Sequence, residues 1–501
     1  MRKSFLKTRA ICFMLFLTVI ISSFSFMMPL QINAASKIDT SGEVKLKWIL
    51  VGNGTQEDND LVFTEINKYL KKKINASVDV LTFTWADFTN KMLIYMAAGE
   101  NYDIGYTSNW SVNFNRIASI GLYRDITDML DTYAPKSKAL LGEKVLKGAA
   151  LDGRIYGLPV YNSNIVGSFG LLLNKKLVDK YKVNTAKIKK LQDLEPIMKK
   201  IKADNSKIIN FYPFDPAGSE GIINTLDYEQ LIANTPAGVL KDGKSTRVVN
   251  IFESVQANSL FTLLNKWYKA GYIPKSAPAN NAYFRTNKAN IFALYSSINC
   301  QTGENMRNEN GIEMIPVSLT KPYISTDGVQ NNIQSVSCLS KNPERALMLL
   351  ELANTDEKFS NMLNYGLEGI HYKKTGAKTI AQLSPRYNQY NPGTPWEFGN
   401  QTLTYSTPGH SPGVWTTLKE NIKAAAASPF LGRTFDPAPV INEIALYTNI
   451  QQRYLTDLYT GKADPASVLP ELNSELKKAG LQEFLAEMQK QADTFVNPQK
   501  K

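Results

Sequence analysis

Residues 44–52, VKLKWILVG, alternate polar and apolar side chains and then run apolar into a glycine. A strand entering a buried sheet reads this way. The segments on its carboxyl side decide the fold. In residues 58–74, DNDLVFTEINKYLKKKI, the side chains of Val62, Ile66, Tyr69 and Ile74 recur at helical spacing, with Asp58 or Asn59 placed to cap. VDVLTFTW (78–85) is a second strand. ADFTNKMLIYMAAGE (86–100) is a second helix, with Phe88, Met92, Tyr95 and Met96 on one face and Gly99 at its end. YDIGY (102–106) is a third strand. A β-α-β-α-β order of this kind predicts a parallel sheet with right-handed crossovers.

In open α/β sheets ligands bind beyond the carboxyl ends of the strands. The third strand runs into TSNWSVNF (107–114), so Trp110 stands four residues past Tyr106 in a polar loop. Tyr106 and Trp110, flanked by Asn109 and Asn113, are therefore candidate ligand contacts. Sugars present flat C–H patches edged by hydroxyls, which aromatic faces and planar amides grip well. The alternative for Trp110 is packing between lobes.

The chain of 501 residues is too long for one core. An apolar content of 43% with 20% charged residues fits a globular protein and excludes general disorder. Arg2, Lys3, Lys7 and Arg9 precede the apolar run AICFMLFLTVIISSFSFMM, and INAAS comes after it, so residues 1–34 are expected to be a cleaved signal peptide. An uncleaved anchor is the alternative. Cleavage takes the formal charge from +12 to +8, spread over helical stretches such as KYLKKKI, and no basic–aromatic nucleic-acid motif is present. Cys300 and Cys338 remain, too few for a disulfide framework, though an exported chain could pair them. With two histidines in the whole chain, no metal site or cofactor is expected. GHSPG (409–413) matches G-x-S-x-G, but Pro412 lacks the N–H an oxyanion hole needs and no histidine comes after Ser411. No calcium loop and no phosphate-binding loop motif occurs.

Further along, GRIYGLPV (153–160), LLLNKKLVDKY (171–181) and NPERALMLLELANTDEKFSNMLNYGLEGIHY (342–372) occur in that order. After them come WEFGNQTL (396–403), SPFLGRTFDPAPV (428–440) and LPELNSELKKAGLQEFLAEMQKQADTF (469–495). Together these resemble the extracellular solute-binding proteins of bacterial ABC importers, carbohydrate type, in their LipO-like branch. The resemblance implies a two-lobed periplasmic-binding-protein-like α/β fold with an interlobe ligand cleft and hinge crossovers. It implies an oligosaccharide or similar small solute as ligand, ABC permease membrane subunits as partners, an exported and cell-surface location, and no catalysis. A monomer without nucleic-acid partners is expected. The chain departs from many such proteins in lacking a lipobox, since Cys12 precedes the apolar run's centre.

On that fold the first lobe is expected over 43–158 plus about 296–350, and the second over 159–295 plus about 351–501. Asn53 comes directly after the first strand, Tyr161 lies where the chain leaves the first lobe, Tyr212 ends IINFY, Tyr295 ends IFALY, and Trp396 opens WEFGNQ. Each is a candidate ligand contact, with core or hinge packing as the alternative. Trp48 and Trp267 are expected in the core and His371 in a structural loop. Two other functions stay open: an exported carbohydrate-active enzyme, or a receptor for a peptide or other non-sugar solute.

Overall fold

A computed structural model describes residues 38–497, apart from 216–220, 276–280, 393 and 412. The expected signal peptide lies outside the described residues. The chain opens with three parallel strands, Val44–Gly52 (β1), Ala76–Thr84 (β2) and Ile104–Thr107 (β3). The helices Asn59–Ile74 and Phe88–Ala97 link them, burying Val62, Ile66, Leu70 and Ile74 from the first and Phe88, Met92 and Met96 from the second. Asp58 does not cap the first helix with its side chain. It is held elsewhere, by Arg386 and His371.

After Leu158–Pro159 (β4) the chain enters a second sheet made of Ser168–Asn174 (β5), Ile209–Tyr212 (β6), Ile291–Ile298 (β7) and Met314–Ser318 (β8). It returns through Tyr323–Ile324 (β9) to Ile333–Val336 (β10), which runs antiparallel to β3 and β4. The first sheet thus has the order β2-β1-β3-β10-β4 and the second β8-β5-β7-β6. Each sheet has its own hydrophobic core, one around Trp48, Tyr106, Leu347 and Leu350, the other around Leu171, Phe211, Trp267 and Phe484. Trp48 and Trp267 are fully buried, as their positions within a strand and an amphipathic helix predict.

The lobe boundaries differ from those expected in two places. Residues 296–318, expected with the first lobe, complete β7 and form β8 in the second sheet. The block from 351 to about 427, expected with the second lobe, packs on the first core through Ala353, Phe359, Leu363, Phe398, Leu418 and Ile422. The helix Pro343–Thr355 comes directly after β10 and buries Ala346, Leu347 and Leu350 against its own sheet, so the chain has no reason to cross there. It joins the second lobe only after Ala426–Ala427 (β11), where Phe430, Phe435, Tyr447, Leu472 and Phe484 extend that core.

Three segments therefore join the lobes, and they lie side by side. Gly167 bridges Tyr323, and β9 pairs in parallel with β11, Tyr323 against Ala426. Among the described residues no helix is long and apolar enough to cross a membrane. Cys300 and Cys338 are free thiols.

The signature ending at His371 has a packing explanation. His371 is fully buried, its Nδ1 accepts from the Leu367 N–H (2.9 Å), and its Nε2 faces Asp58 Oδ2 (3.1 Å). The backbone donor at Nδ1 leaves the proton on Nε2, aimed at Asp58. Burial lowers the histidine's pKa, with the Asp58 contact opposing. Arg386 Nη2 donates to Asp58 Oδ1 (2.7 Å) and so holds the carboxylate from the other side. Gly366 adopts φ +75°, and a Cβ there would come within 2.6 Å of the His371 ring, so only glycine fits.

Candidate functional site

The loop after β3 is built to hold a tryptophan in the open. Thr107 Oγ1 donates to the Val112 carbonyl, the Ser111 N–H donates to Ser108 Oγ (2.7 Å), and the Asn109 N–H donates to the Gln330 carbonyl (2.9 Å). Val112 sits at φ +47°, a costly conformation for a β-branched residue, which the surrounding bonds maintain. Trp110 projects from this loop 52% exposed, and its indole N–H donates to the Asn331 carbonyl (3.0 Å), which fixes the ring's orientation.

Trp110 does not stand alone. Trp85, immediately past the end of β2 and 48% exposed, stacks on it with ring centroids 6.5 Å apart and planes 24° from parallel. Trp396 closes the group, 5.8 Å from Trp85 and 6.5 Å from Trp110. Tyr106 lies beneath, fully buried, 6.1 Å from Trp110 and 5.9 Å from Trp396, with its hydroxyl donating to Asn332 Oδ1 (2.8 Å). Burial raises the Tyr106 pKa, and the nearby Glu397 carboxyl adds to the rise. Glu397 is itself fully buried beside Trp396; its Oε1 accepts from the Val51 N–H (2.9 Å), yet burial pushes its pKa up to about 8. Three tryptophans clustered at strand ends, two of them about half exposed, form an aromatic surface that a soluble fold leaves open for a ligand or partner.

Two cavities flank the first crossing segment and share Ser163, Asn164 and Asn299 as a common wall. One, about 370 Å³, runs from Trp396 along Tyr387, Gln401, Tyr405 and Trp415. At its rim the lobes touch: Glu304 Oε1, from the helix Thr302–Asn310, accepts from the Ser411 N–H (2.9 Å), and Glu304 Oε2 lies 3.3 Å from His410 Nδ1. The other cavity, about 420 Å³, runs from Asn109 and Asn331 toward Phe169, Glu229, Lys241 and Asp327. Glu229 Oε2 accepts from the Tyr323 hydroxyl (2.9 Å). Burial raises the pKa of Glu229, and Asp327, accessible to solvent but ringed by the cavity walls, is raised for the same reason. Among the described residues, no group of three or more His, Cys, Asp or Glu side chains is placed to hold a metal ion.

Of the residues expected at a site, the structure brings together Tyr106, Asn109, Trp110 and Trp396. Tyr161 is buried at the start of the first crossing, its carbonyl accepting from the Gln401 N–H (3.0 Å). Asn113 caps the helix Phe114–Ser119, accepting from the Arg116 N–H (3.0 Å). Asn53 is exposed, bonds the Asn391 carbonyl (3.2 Å), and lines neither cavity. Tyr212 and Tyr295 are packing residues. Each is fully buried, Tyr212 against Phe214 and Tyr283 and Tyr295 stacked on Phe169, because hydrophobic clusters cover both faces of the second sheet, Tyr212 lying in one and Tyr295 in the other. Trp85, Gln401 and Trp415 were not anticipated. Trp85 obeys the same strand-end rule that singled out Trp110. Nothing in the sequence around Gln401 or Trp415 marks a cavity wall.

Comparison with known proteins bears on this geometry. A curated carbohydrate ABC transporter substrate-binding protein of Streptococcus pneumoniae is 28% identical over 476 residues, covering 93% of this chain and 94% of that protein. The crystal structure of the N-glycan transport solute-binding protein NgtS from Streptococcus pneumoniae matches with a TM-score of 0.78 at 26% identity, covering 91% of this chain and 99% of its own. NgtS in complex with Man1GlcNAc or Man5GlcNAc matches less well, at 0.66 and 0.63. Residues 429–497, the C-terminal helical segment, match a domain of unknown function. The family model for bacterial extracellular solute-binding proteins matches residues 65–367, more than half of the chain, and it is to that family that the chain belongs.

Proposed function

We propose that this chain is the substrate-capturing component of an ABC import system. It binds an oligosaccharide outside the membrane, delivers it to permease subunits by lobe closure, and carries out no reaction of its own. The observation that carries this reading is the cluster of Trp85, Trp110 and Trp396 at the strand ends, beside two cavities lined from both lobes. Stacked rings offer the flat apolar faces that pyranose rings need, and the amides and carboxyls along the cavities supply hydrogen bonds to hydroxyls. A ligand touching both lobes stabilises the closed arrangement by its differential contacts. The fall in likeness to NgtS from 0.78 to 0.66 and 0.63 when that relative holds a glycan is the pattern lobe movement would produce. The protein acts as an exported monomer at the cell surface.

A thermal-shift screen of the chain from residue 36 against oligosaccharides, peptides and small polar solutes tests this. A ligand specific to the native state raises the melting temperature by mass action. Stabilisation by one glycan class, with no product after prolonged incubation, is the expected result. Glycan breakdown would make the protein an enzyme, and stabilisation by peptides alone would remove the carbohydrate assignment.

A further inference from the structure

The positive charge of the chain is not spread evenly. Residues 175–207 hold eleven lysines against four acidic side chains, a net +7, where the whole chain carries +12. The fold gathers this segment onto one surface. The helices Lys175–Tyr181, Glu195–Asp204 and Val255–Lys269 all cover the face of the second sheet that carries Leu171, Leu173 and Phe211, burying Leu177, Met198 and Trp267 there. Two ion pairs hold them side by side, Lys180 Nζ to Asp204 Oδ2 and Lys266 Nζ to Glu195 Oε2, each at 2.7 Å. Their outward faces therefore form one continuous exterior.

The acidic groups on this exterior are already engaged. Asp179 pairs with Lys175 (2.6 Å), Asp204 and Glu195 make the two pairs above, and Asp193 accepts from the Lys189 and Lys190 N–H groups (2.8 and 3.0 Å). Lys176, Lys187, Lys189, Lys199, Lys200 and Lys269 are exposed, and among the described residues none of them has a carboxylate within ion-pair distance. The lysine-rich helix Asn59–Ile74 differs: there Lys68, Lys71 and Lys73 each meet a carboxylate, at 2.7, 2.8 and 3.1 Å. Among the described residues no large apolar side chain of 175–207 is exposed. The six free lysines line neither cavity of the cleft.

We infer that this surface docks the protein onto a membrane bearing anionic headgroups. A single polyanionic chain is gripped in a groove, whereas free cations spread across three neighbouring helices and the turns between them match a plane of charge. Each lysine held near such a membrane strengthens binding about fivefold. With no apolar side chain to insert, the attraction is electrostatic and salt removes it. The cleft stays open to its ligand while the protein is docked, because the lysines that hold the membrane take no part in its walls.

Vesicle sedimentation with the chain from residue 36 tests this. The vesicles are equal parts phosphatidylglycerol and phosphatidylcholine, or phosphatidylcholine alone, at about 20 mM salt. The protein should sediment with the first and not with the second, and about 300 mM salt should release it. Lys187→Gln, Lys189→Gln, Lys199→Gln and Lys200→Gln together should weaken vesicle binding about a hundredfold or more. A control that replaces Lys68, Lys71, Lys72 and Lys73 by Gln removes the same charge from the paired helix and should stay within about tenfold of wild type. All eight positions are exposed, so melting temperatures should hardly move. Glycan affinity in free solution should be unchanged in both variants, which keeps this outcome separate from the function proposed above. Failure of the wild type to bind the anionic vesicles at low salt overturns the inference. Equal losses in the two variants overturn it as well, since overall charge would then be the cause. Binding to soluble poly(glycerol phosphate) without binding to vesicles would make the partner a polymer and overturn the membrane assignment.

Discussion

The buried carboxyl beneath the tryptophans gives a quantitative prediction. Glu397 is fully buried next to Trp396, and burial lifts its pKa to about 8, against 4.5 for the free group. The Val51 N–H and Thr394 pull it downward without cancelling that rise. In the folded protein the group thus keeps its proton across a range where the unfolded chain has lost it. The unfolded state binds fewer protons between about pH 4.5 and 8, so stability falls as pH rises through that window and levels off above it. Each pH unit within it changes the unfolding free energy by about 1.4 kcal/mol, so the loss between pH 5 and 8 reaches about 4 kcal/mol. Glu397→Gln retains an oxygen for the Val51 N–H and has no proton to lose. Denaturant unfolding at pH 5, 6, 7 and 8, monitored by tryptophan fluorescence, should show the variant gaining on the wild type at each step, to a total of about 4 kcal/mol. A difference between the two proteins that stays constant from pH 5 to 8 would refute the reasoning, because it would mean that the wild-type carboxyl titrates alike in both states.

The tryptophan cluster makes a prediction about binding. Trp110→Ala and Trp85→Ala should each weaken glycan affinity about five- to tenfold, since one stacked ring is worth about 1 kcal/mol beyond its area. Because the two rings stack at 6.5 Å, the double variant should lose less than the sum of the two, which a calorimetric double-mutant cycle would measure. Both rings are about half exposed, so the melting temperature should hardly move. At the Asp58–His371–Arg386 cluster the expectation reverses: Asp58→Ala leaves two donors facing a gap and should lower stability by about 3 kcal/mol in denaturant unfolding, with ligand affinity unchanged.

The first lobe's opening was legible because strand and helix periods alternate cleanly from Val44 to Tyr106, and handedness leaves few ways to arrange such an order. The exposed place of Trp110 past a strand end was legible for the same reason, since the rule that singles out such loops needs only the strand's position and direction. Applied once more, to residue 85, it finds Trp85. It failed at Tyr212 and Tyr295. Both end apolar runs, but a sequence does not reveal that strands packed on both faces bury their last ring as well as their first. The block from 351 to 427 was misplaced because an amphipathic helix such as Pro343–Thr355 fits the face of either sheet, and only the three-dimensional path says which is nearer. Gln401 and Trp415 were invisible for a related reason. They line a cavity whose wall is drawn from segments far apart in the chain, and such an assembly leaves no trace in spacing.

The adjacent crossings at Gly167, Tyr323 and Ala426 bear on how many ways the molecule can move. A single connecting strand is a swivel, free to twist and tilt as well as bend. Three segments joined edge to edge, by one β-bridge and one short ladder, behave like a strip of tape: stiff within its plane, resistant to torsion, compliant only to folding across its width. The lobes are left with one soft coordinate. Every ligand long enough to reach both walls meets the same geometry at the end of that travel, so size and chemistry vary the depth of the well and not its position.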